Sequence, residues 1–271
     1  MKRITLLAAV LVIMAMVFAG CNSSKQAVAD EASQSEPQNL LDKIKSEGVI
    51  RIGTEGTYAP FSFHDENGKL TGFDVEIAEE VARRLGVKVE FIETKWDGMF
   101  AGLDAKRFDV VANQVTIRED RLEKYDFSVP YIVSKAVLIV HNDNDDIKSF
   151  KDLKGKKSGQ SLTSNYGELA VSYGAEVVPV DGFNQAVDLI VSKRIDATVN
   201  DSLSYLDYKK QKPETNIKVA AQLDTKSVVG LLFNKGNSEL VEAVNKALTD
   251  MMEDGTYLEI SQKWFGEDVS K

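Results

Sequence analysis

Apolar and polar positions change period repeatedly along this chain. Val49–Gly53 alternates as a strand, and Asp74–Leu85 places its apolar residues at helical spacing. Val87–Ile92 alternates again, Met99–Ala105 reads as a short helix and Asp109–Ala112 as a buried strand, which together make a βαβαβ run. A second cycle follows Val140. Ser149, with Asp152 three residues on, marks a capped turn; Lys156–Gly159, Glu176–Val180 and Asp196–Val199 read as strands, with helices at Tyr166–Tyr173 and Phe183–Val191 between them. A strand at Val228–Phe233 precedes two closing helices, Ser238–Glu253 and Tyr257–Phe265, separated by Asp254-Gly255.

Alternating strands and helices predict an α/β fold with helices covering largely parallel sheets. Two such cycles, joined by the strand-like segments Tyr131–Val140 and Ser227–Phe233, predict two lobes with the chain crossing between them twice. The expected division is residues 40–133 plus 227–271 for lobe 1 and 134–226 for lobe 2. The junction of two lobes is a favoured place for a ligand, and two crossings make a hinge.

The start of the chain has a different character. Lys2 and Arg3 precede an apolar run from Ile4 to Ala19, then Gly20 and Cys21, the only cysteine. That is the pattern of a secretory signal over residues 1–20, too short to span a bilayer comfortably, and the cysteine at the cut is similar to a bacterial lipoprotein signal. Cys21 is thus the expected lipidation site, and the polar stretch 21–39, without apolar periodicity, reads as a flexible tether. The remainder is expected to work outside the cytoplasm, anchored by lipid to a membrane.

Charge narrows the partners. The net charge of −9 becomes −11 when Lys2 and Arg3 leave with the signal, which disfavours nucleic acid and anionic lipid surfaces. With Cys21 lipidated, no cysteine remains for a disulfide, a thiol nucleophile or a zinc cluster, and His64 and His141 are isolated. No metal, cofactor or catalytic residue is expected.

Several polar turns at strand ends carry candidate chemistry. Asn113-Gln114-Val115-Thr116-Ile117-Arg118-Glu119-Asp120-Arg121 follows the strand Asp109–Ala112, and Thr116 with Glu119 fits a capping box, so a helix is expected to begin there. Free N–H groups in its first turn favour an anion, and Arg121 offers a fork for a carboxylate. In the second cycle Asp201 ends Arg194–Asp201, placed either to accept from a cation across a cleft or to cap the helix near Ser202; periodicity alone favours the cap. Ser164 and Asn165, in Thr163-Ser164-Asn165-Tyr166, can likewise meet a carboxylate or cap a helix. Tyr58 and Trp96 are loop aromatics, and Glu55 lies just before Tyr58.

Taken in order, these stretches resemble a known family. Gly72-Phe73-Asp74-Val75-Glu76-Ile77-Ala78-Glu79-Glu80-Val81-Ala82 matches the signature of extracellular solute-binding proteins of family 3, the amino-acid receptors of ABC importers, and the resemblance runs from about Leu40 to the C-terminus. Asn113-Gln114-Val115-Thr116-Ile117 and Thr163-Ser164-Asn165-Tyr166 resemble its L-cystine-binding branch. The resemblance implies a two-lobed type II periplasmic-binding-protein-like fold. It gives Arg121, with Thr116 and Gln114, to the ligand's α-carboxylate, Asp201 to its ammonium, Ser164 and Asn165 to second-lobe carboxylate contacts, and Tyr58 and Trp96 to aromatic walls. Glu55 stands where basic-amino-acid members carry an acid for a distal ammonium, and Asn113 completes the set. The implied protein is a monomeric receptor that binds L-cystine or a related amino acid and delivers it to an ABC permease and its ATPase. The alternatives are a receptor for another polar amino acid such as glutamine, a secreted cyclohexadienyl-dehydratase-like enzyme, which would need a positioned general acid in the cleft, and a sensory module.

Overall fold

The computed structural model describes residues 39–271. The expected signal, Cys21 and the tether up to residue 38 lie outside the described residues.

The described chain opens with α1 (Leu40–Glu47), whose first turn is capped by Asn39, and enters β1 (Val49–Thr54). Three very short strands follow, β2 (Thr57–Tyr58), β3 (Ser62–His64) and β4 (Leu70–Thr71), forming a small antiparallel sheet. Next come α2 (Phe73–Leu85), β5 (Lys88–Glu93), α3 (Trp96–Asp104), β6 (Val110–Val111), the single turn α4 (Glu119–Leu122) and β7 (Tyr125–Phe127). Gly72 leads into α2 at φ 133°, and a Cβ there would lie 2.2 Å from the Phe61 carbonyl oxygen. Only glycine lets the signature helix dock this closely.

The chain then enters β8 (Ile132–His141), β9 (Lys157–Gln160), α5 (Asn165–Ser172), β10 (Glu176–Pro179), α6 (Phe183–Val191), β11 (Ala197–Asp201), α7 (Ser202–Gln211) and β12 (Ile217–Val229). It closes with β13 (Leu232–Asn234), α8 (Ser238–Asp254) and α9 (Thr256–Phe265). The Ser149/Asp152 box read from sequence caps a 3₁₀ turn at Phe150–Leu153.

Two mixed sheets carry two lobes. The first has the order β5-β1-β6-β13-β7, with β1 parallel to β5 and β6 and the returning β13 antiparallel to β6 and β7. The second has the order β10-β9-β11-β8-β12, parallel through β11 and antiparallel beyond it. The sheets are therefore less parallel than expected, because one strand in each, β13 in the first and β8 in the second, runs against its neighbours. Helix α2 buries Phe73, Ile77, Val81 and their neighbours against β1 and α8, and this is the core of the first lobe. The second sheet is covered on both faces, around Leu138 and Val199 on one side and Ile139, Val187 and Ile190 on the other.

Two expectations about the crossings and the Asn113–Arg121 turn need correction. The return crossing is not one strand at Ser227–Phe233: β12 begins at Ile217, ends at Val229, and is separated from β13 by Gly230 and Leu231. It pairs with β8 from Ile217↔His141 to Val229↔Ile132, so the two crossings form one antiparallel ribbon with register shifts at Val219/Ala221 and Gln222/Lys226. The Thr116/Glu119 capping box does not form. Thr116 makes a β-bridge with Val229, and the Ile117 N–H donates to the Val228 carbonyl at 2.8 Å, which keeps the backbone extended. Helix α4 starts only after Arg118, without a side-chain cap, and lasts four residues, too short to present the anion-binding first turn that was expected.

Candidate functional site

A cavity lies between the lobes. Of the residues predicted to form the site, Glu55, Tyr58, Trp96, Asn113 and Gln114 line it from the first lobe, and Ser164 and Asn165 from the second. Thr116, Arg121 and Asp201 do not line it. Arg121 and Asp201 stand one side chain behind its wall, against Asn165 and Trp96 and against Tyr166, and Thr116 lies behind Arg121.

On the first lobe, strand ends and interior hydrogen bonds fix the lining. The Asn113 side chain is consumed locally: its Oδ1 accepts from the Glu55 backbone N–H at 2.8 Å, and its Nδ2 donates to the Glu55 carboxylate at 2.6 Å. Burial nonetheless raises the Glu55 carboxyl to about 7, against the lowering effect of those bonds. Gln114 adopts φ 53°, an uncommon left-handed conformation for a non-glycine residue. Its N–H donates to Asp74 at 2.8 Å, and the other oxygen of that carboxylate accepts from the Tyr131 hydroxyl at 2.9 Å. Asp74 comes from the signature helix and is fully buried, with no cation beside it among the described residues, so desolvation raises it to about 7. It ties the cavity residue Gln114 to Tyr131, the residue before the crossing strand β8.

Arg121 is 6% exposed. Its guanidinium donates to the Thr116 carbonyl at 2.9 Å and reaches Asn165 Oδ1 at 3.5 Å, while packing on the faces of Trp96 and Phe100 at 5.6 and 5.2 Å. The nearby acids Asp120 and Glu168 pair with Arg118 instead, at 2.9 and 2.6 Å. Arg121 thus makes no ion pair among the described residues, and burial lowers it to about 10.

The second lobe uses helix ends. Ser164 caps α5, accepting from the Gly167 N–H at 2.9 Å, and Asn165 opens that helix. Asp201 caps α7, accepting from the Leu203 N–H at 2.9 Å, and its second oxygen accepts from the hydroxyls of Ser134 at 2.5 Å and Tyr166 at 3.0 Å. At 1% exposure it too has no cation among the described residues, and burial raises its carboxyl.

The cleft is shut. Tyr58, packed on Phe61, donates to Asn200 at 2.7 Å from the opposite lobe. Asp97 accepts from the Thr163 N–H at 3.0 Å and its hydroxyl at 2.8 Å; Arg118–Glu168 and Lys95–Asp181, at 2.6 and 2.8 Å, close other points of the rim. Sequence reasoning missed Gln160, Ser161, Tyr166, Phe183 and Asn200 in the lining. Gln160 and Ser161 follow the same rule that singled out Asn113, a polar residue at the carboxyl end of a strand. Nothing local marks Tyr166 or Phe183, which reach the cavity from helix starts.

Residues 50–267 match the model of the bacterial extracellular solute-binding proteins, family 3. An L-cystine-binding protein of Bacillus subtilis is 50% identical over 272 residues, spanning 100% of both chains. Among solved structures, an ancestral arginine-binding protein bound to glutamine is 44% identical and superposes with a TM-score of 0.78, covering 81% of this chain and 99% of its own. The L-cystine solute receptor of Neisseria gonorrhoeae in its unliganded open conformation is 51% identical over 86% of this chain and 99% of its own, with a TM-score of 0.58. The shape follows the liganded relative more closely than the open one, despite lower identity, as the bonded rim would lead one to expect.

Proposed function

This chain belongs to family 3 of the bacterial extracellular solute-binding proteins, and from that premise we propose that it is the receptor of an amino-acid ABC importer, binding L-cystine between its lobes and delivering it to the permease. The observation that carries the reading is a pair of buried, uncompensated charges. The Arg121 cation stands behind the first-lobe wall and the Asp201 anion behind the second, each with hydrogen bonds but no counter-charge among the described residues. Holding an unpaired buried charge costs several kcal/mol, and a zwitterion placed between the two offsets both costs at once. A carboxylate on Arg121 and an ammonium on Asp201 require small shifts of the intervening Asn165 and Tyr166 side chains.

Cystine suits the rest of the cavity. Its disulfide would lie along the rings of Tyr58 and Trp96, where sulfur–aromatic contacts contribute about 0.3–1.5 kcal/mol, and Glu55 would face the second ammonium. A ligand that contacts both lobes favours the closed form, because those contacts are complete only when the cleft is shut. The relatives named above by function are binding proteins. We extend the proposal to residues 40–133 and 227–271 as lobe 1, residues 134–226 as lobe 2, signal removal after residue 20, lipid on Cys21 and a tether to residue 39. The mature protein is then a monomer held outside the cytoplasm at the membrane, beside its permease and ATPase.

Titration calorimetry of the ligand-stripped protein against L-cystine, L-glutamine and L-arginine, without reductant, tests the ligand. L-cystine is expected to bind at least about tenfold more tightly than the others, a difference of about 1.4 kcal/mol. Tighter binding of glutamine would move the assignment to a different polar amino acid.

A further inference from the structure

Several polar groups around the cavity are already bonded, but two buried donors on one wall are not. The Tyr58 hydroxyl is used on Asn200, the Asn113 amide on Glu55, the Ser164 hydroxyl on its helix and the Gln160 amide on Ser158. Trp96 Nε1 and Gln114 Nε2, by contrast, are buried donors without a partner among the described residues. Their residues are 7% and 8% exposed, and both line the cavity. A buried N–H left unmatched is unfavourable, so a site that keeps two of them is built for something that accepts. Both are donors only, and the partner they suit is an oxygen-rich acceptor, a carboxylate above all.

Their surroundings say which carboxylate. Arg121 already answers the one on the ligand's first head. The Trp96 backbone N–H acts to lower the Glu55 carboxyl, and Asn113, the neighbour of Gln114, donates to the same carboxylate. The first-lobe wall thus presents an acid and two idle donors, the complement of an ammonium with its own carboxylate. Both donors are held in place. The Trp96 ring is pinned at the start of α3 against Phe100 and Arg121, and the Gln114 backbone is locked by Asp74.

We propose that Trp96 Nε1 and Gln114 Nε2 bind the carboxylate of the ligand's second amino-acid head, next to Glu55, and so distinguish a two-headed amino acid from a single-headed one. The inference rests on the reading of L-cystine as ligand. It gives Trp96 a polar, specificity-determining role in addition to its apolar face, and gives Gln114 to the second head instead of the first.

The test pairs two ligands with two variants. The mixed disulfide S-(2-aminoethylthio)-L-cysteine keeps the first head, the disulfide and the second ammonium, and lacks only the second carboxylate. Trp96→Phe keeps a ring and removes the donor; Gln114→Met keeps length and removes the amide. Calorimetry is expected to show each variant binding L-cystine about tenfold more weakly while its affinity for the mixed disulfide changes by less than about twofold, as for a site that recognises a hydrogen-bonding group by matching it. Equal losses for both ligands, or no loss for either, overturn the inference and leave the receptor reading standing. Failure of the unaltered protein to bind L-cystine overturns both. Should Trp96→Phe not fold, Gln114→Met decides alone.

Discussion

The two walls of the cleft hold their polar groups by different means. On the second lobe, Ser164 and Asp201 are helix caps: their oxygens already accept from the backbone of α5 and α7, and Asp201 also accepts from Ser134 and Tyr166. On the first lobe, Gln114 and Arg121 sit in non-helical backbone or in a single helical turn. Gln114 is steadied by one interior carboxylate, Arg121 by one backbone carbonyl and two aromatic faces. A capping group is stable without ligand but has little bonding capacity left. A group in a loop keeps its capacity free at the expense of unpaired polar atoms in the core. The groups of the second wall serve the fold and the ligand together, and Gln114 and Arg121 of the first keep more of their capacity for the ligand.

Removing one charge from each wall breaks this comparison most directly. Asp201→Ala and Arg121→Met are each expected to weaken ligand binding at least about a hundredfold, ~2.7 kcal/mol. Their effects on the unliganded protein should differ in sign. Asp201→Ala removes a cap and orphans two hydroxyls, a loss of about 2 kcal/mol in urea unfolding. Arg121→Met removes an unpaired buried cation, so stability should hold or rise by about 1 kcal/mol. Equal destabilisation by both would show the walls to be alike.

A second contrast lies in the response to pH. The folded-state carboxyls of Asp74 and Glu55, both of the first lobe, are raised to about 7 from ordinary values of 3.8 and 4.5. The folded protein therefore keeps protons that the unfolded chain releases, and stability falls as pH rises from about 4.5 to 7, by up to ~1.4 kcal/mol per pH unit for each group. The carboxyls held low, Asp254 and Asp268 at about 2, act in the opposite direction and only at lower pH. Without ligand, the melting temperature is expected to be higher at pH 5.5 than at pH 7.5, with a shallower slope in Asp74→Asn. An unaltered slope would mean that Asp74 ionises normally.

The smallest effect belongs to the rim. Asp97→Ala deletes exposed hydrogen bonds between the lobes, each worth well under about 1 kcal/mol, and should weaken ligand binding only a few-fold, through faster dissociation in stopped-flow measurements.

Much of this was legible in the chain. Strand β1 and helix α2 differ from the sequence reading by one residue at one end each, since their apolar periodicity coincides with real burial. Strand β12 was not legible over most of its length. In Ile-Lys-Val-Ala-Ala-Gln-Leu-Asp-Thr-Lys-Ser-Val-Val only the two ends are buried, and the register shifts destroy alternation, as befits a sheet edge. Thr116 and Glu119 have the spacing of a capping box, but a bridge to Val229, more than a hundred residues away in sequence, outcompetes the local helix. Within the site, polar turns after strands raised candidates, and the family resemblance chose the seven side chains that line the cavity. The left-handed turn at Gln114 and the interior role of Asp74 were hidden, because an acid in a helix's first turn ordinarily reads as a partner for the dipole.

The ribbon of β8 and β12 has a mechanical consequence. Had the two connections run separately, each could twist on its own and the halves could slide, roll or splay. Hydrogen-bonded to each other from Ile217↔His141 to Val229↔Ile132, they behave as one leaf spring with its weak point at the irregular stretch near Gln222 and Lys226. The gap then gains or loses width along a single swing, with the two rims approaching or parting together.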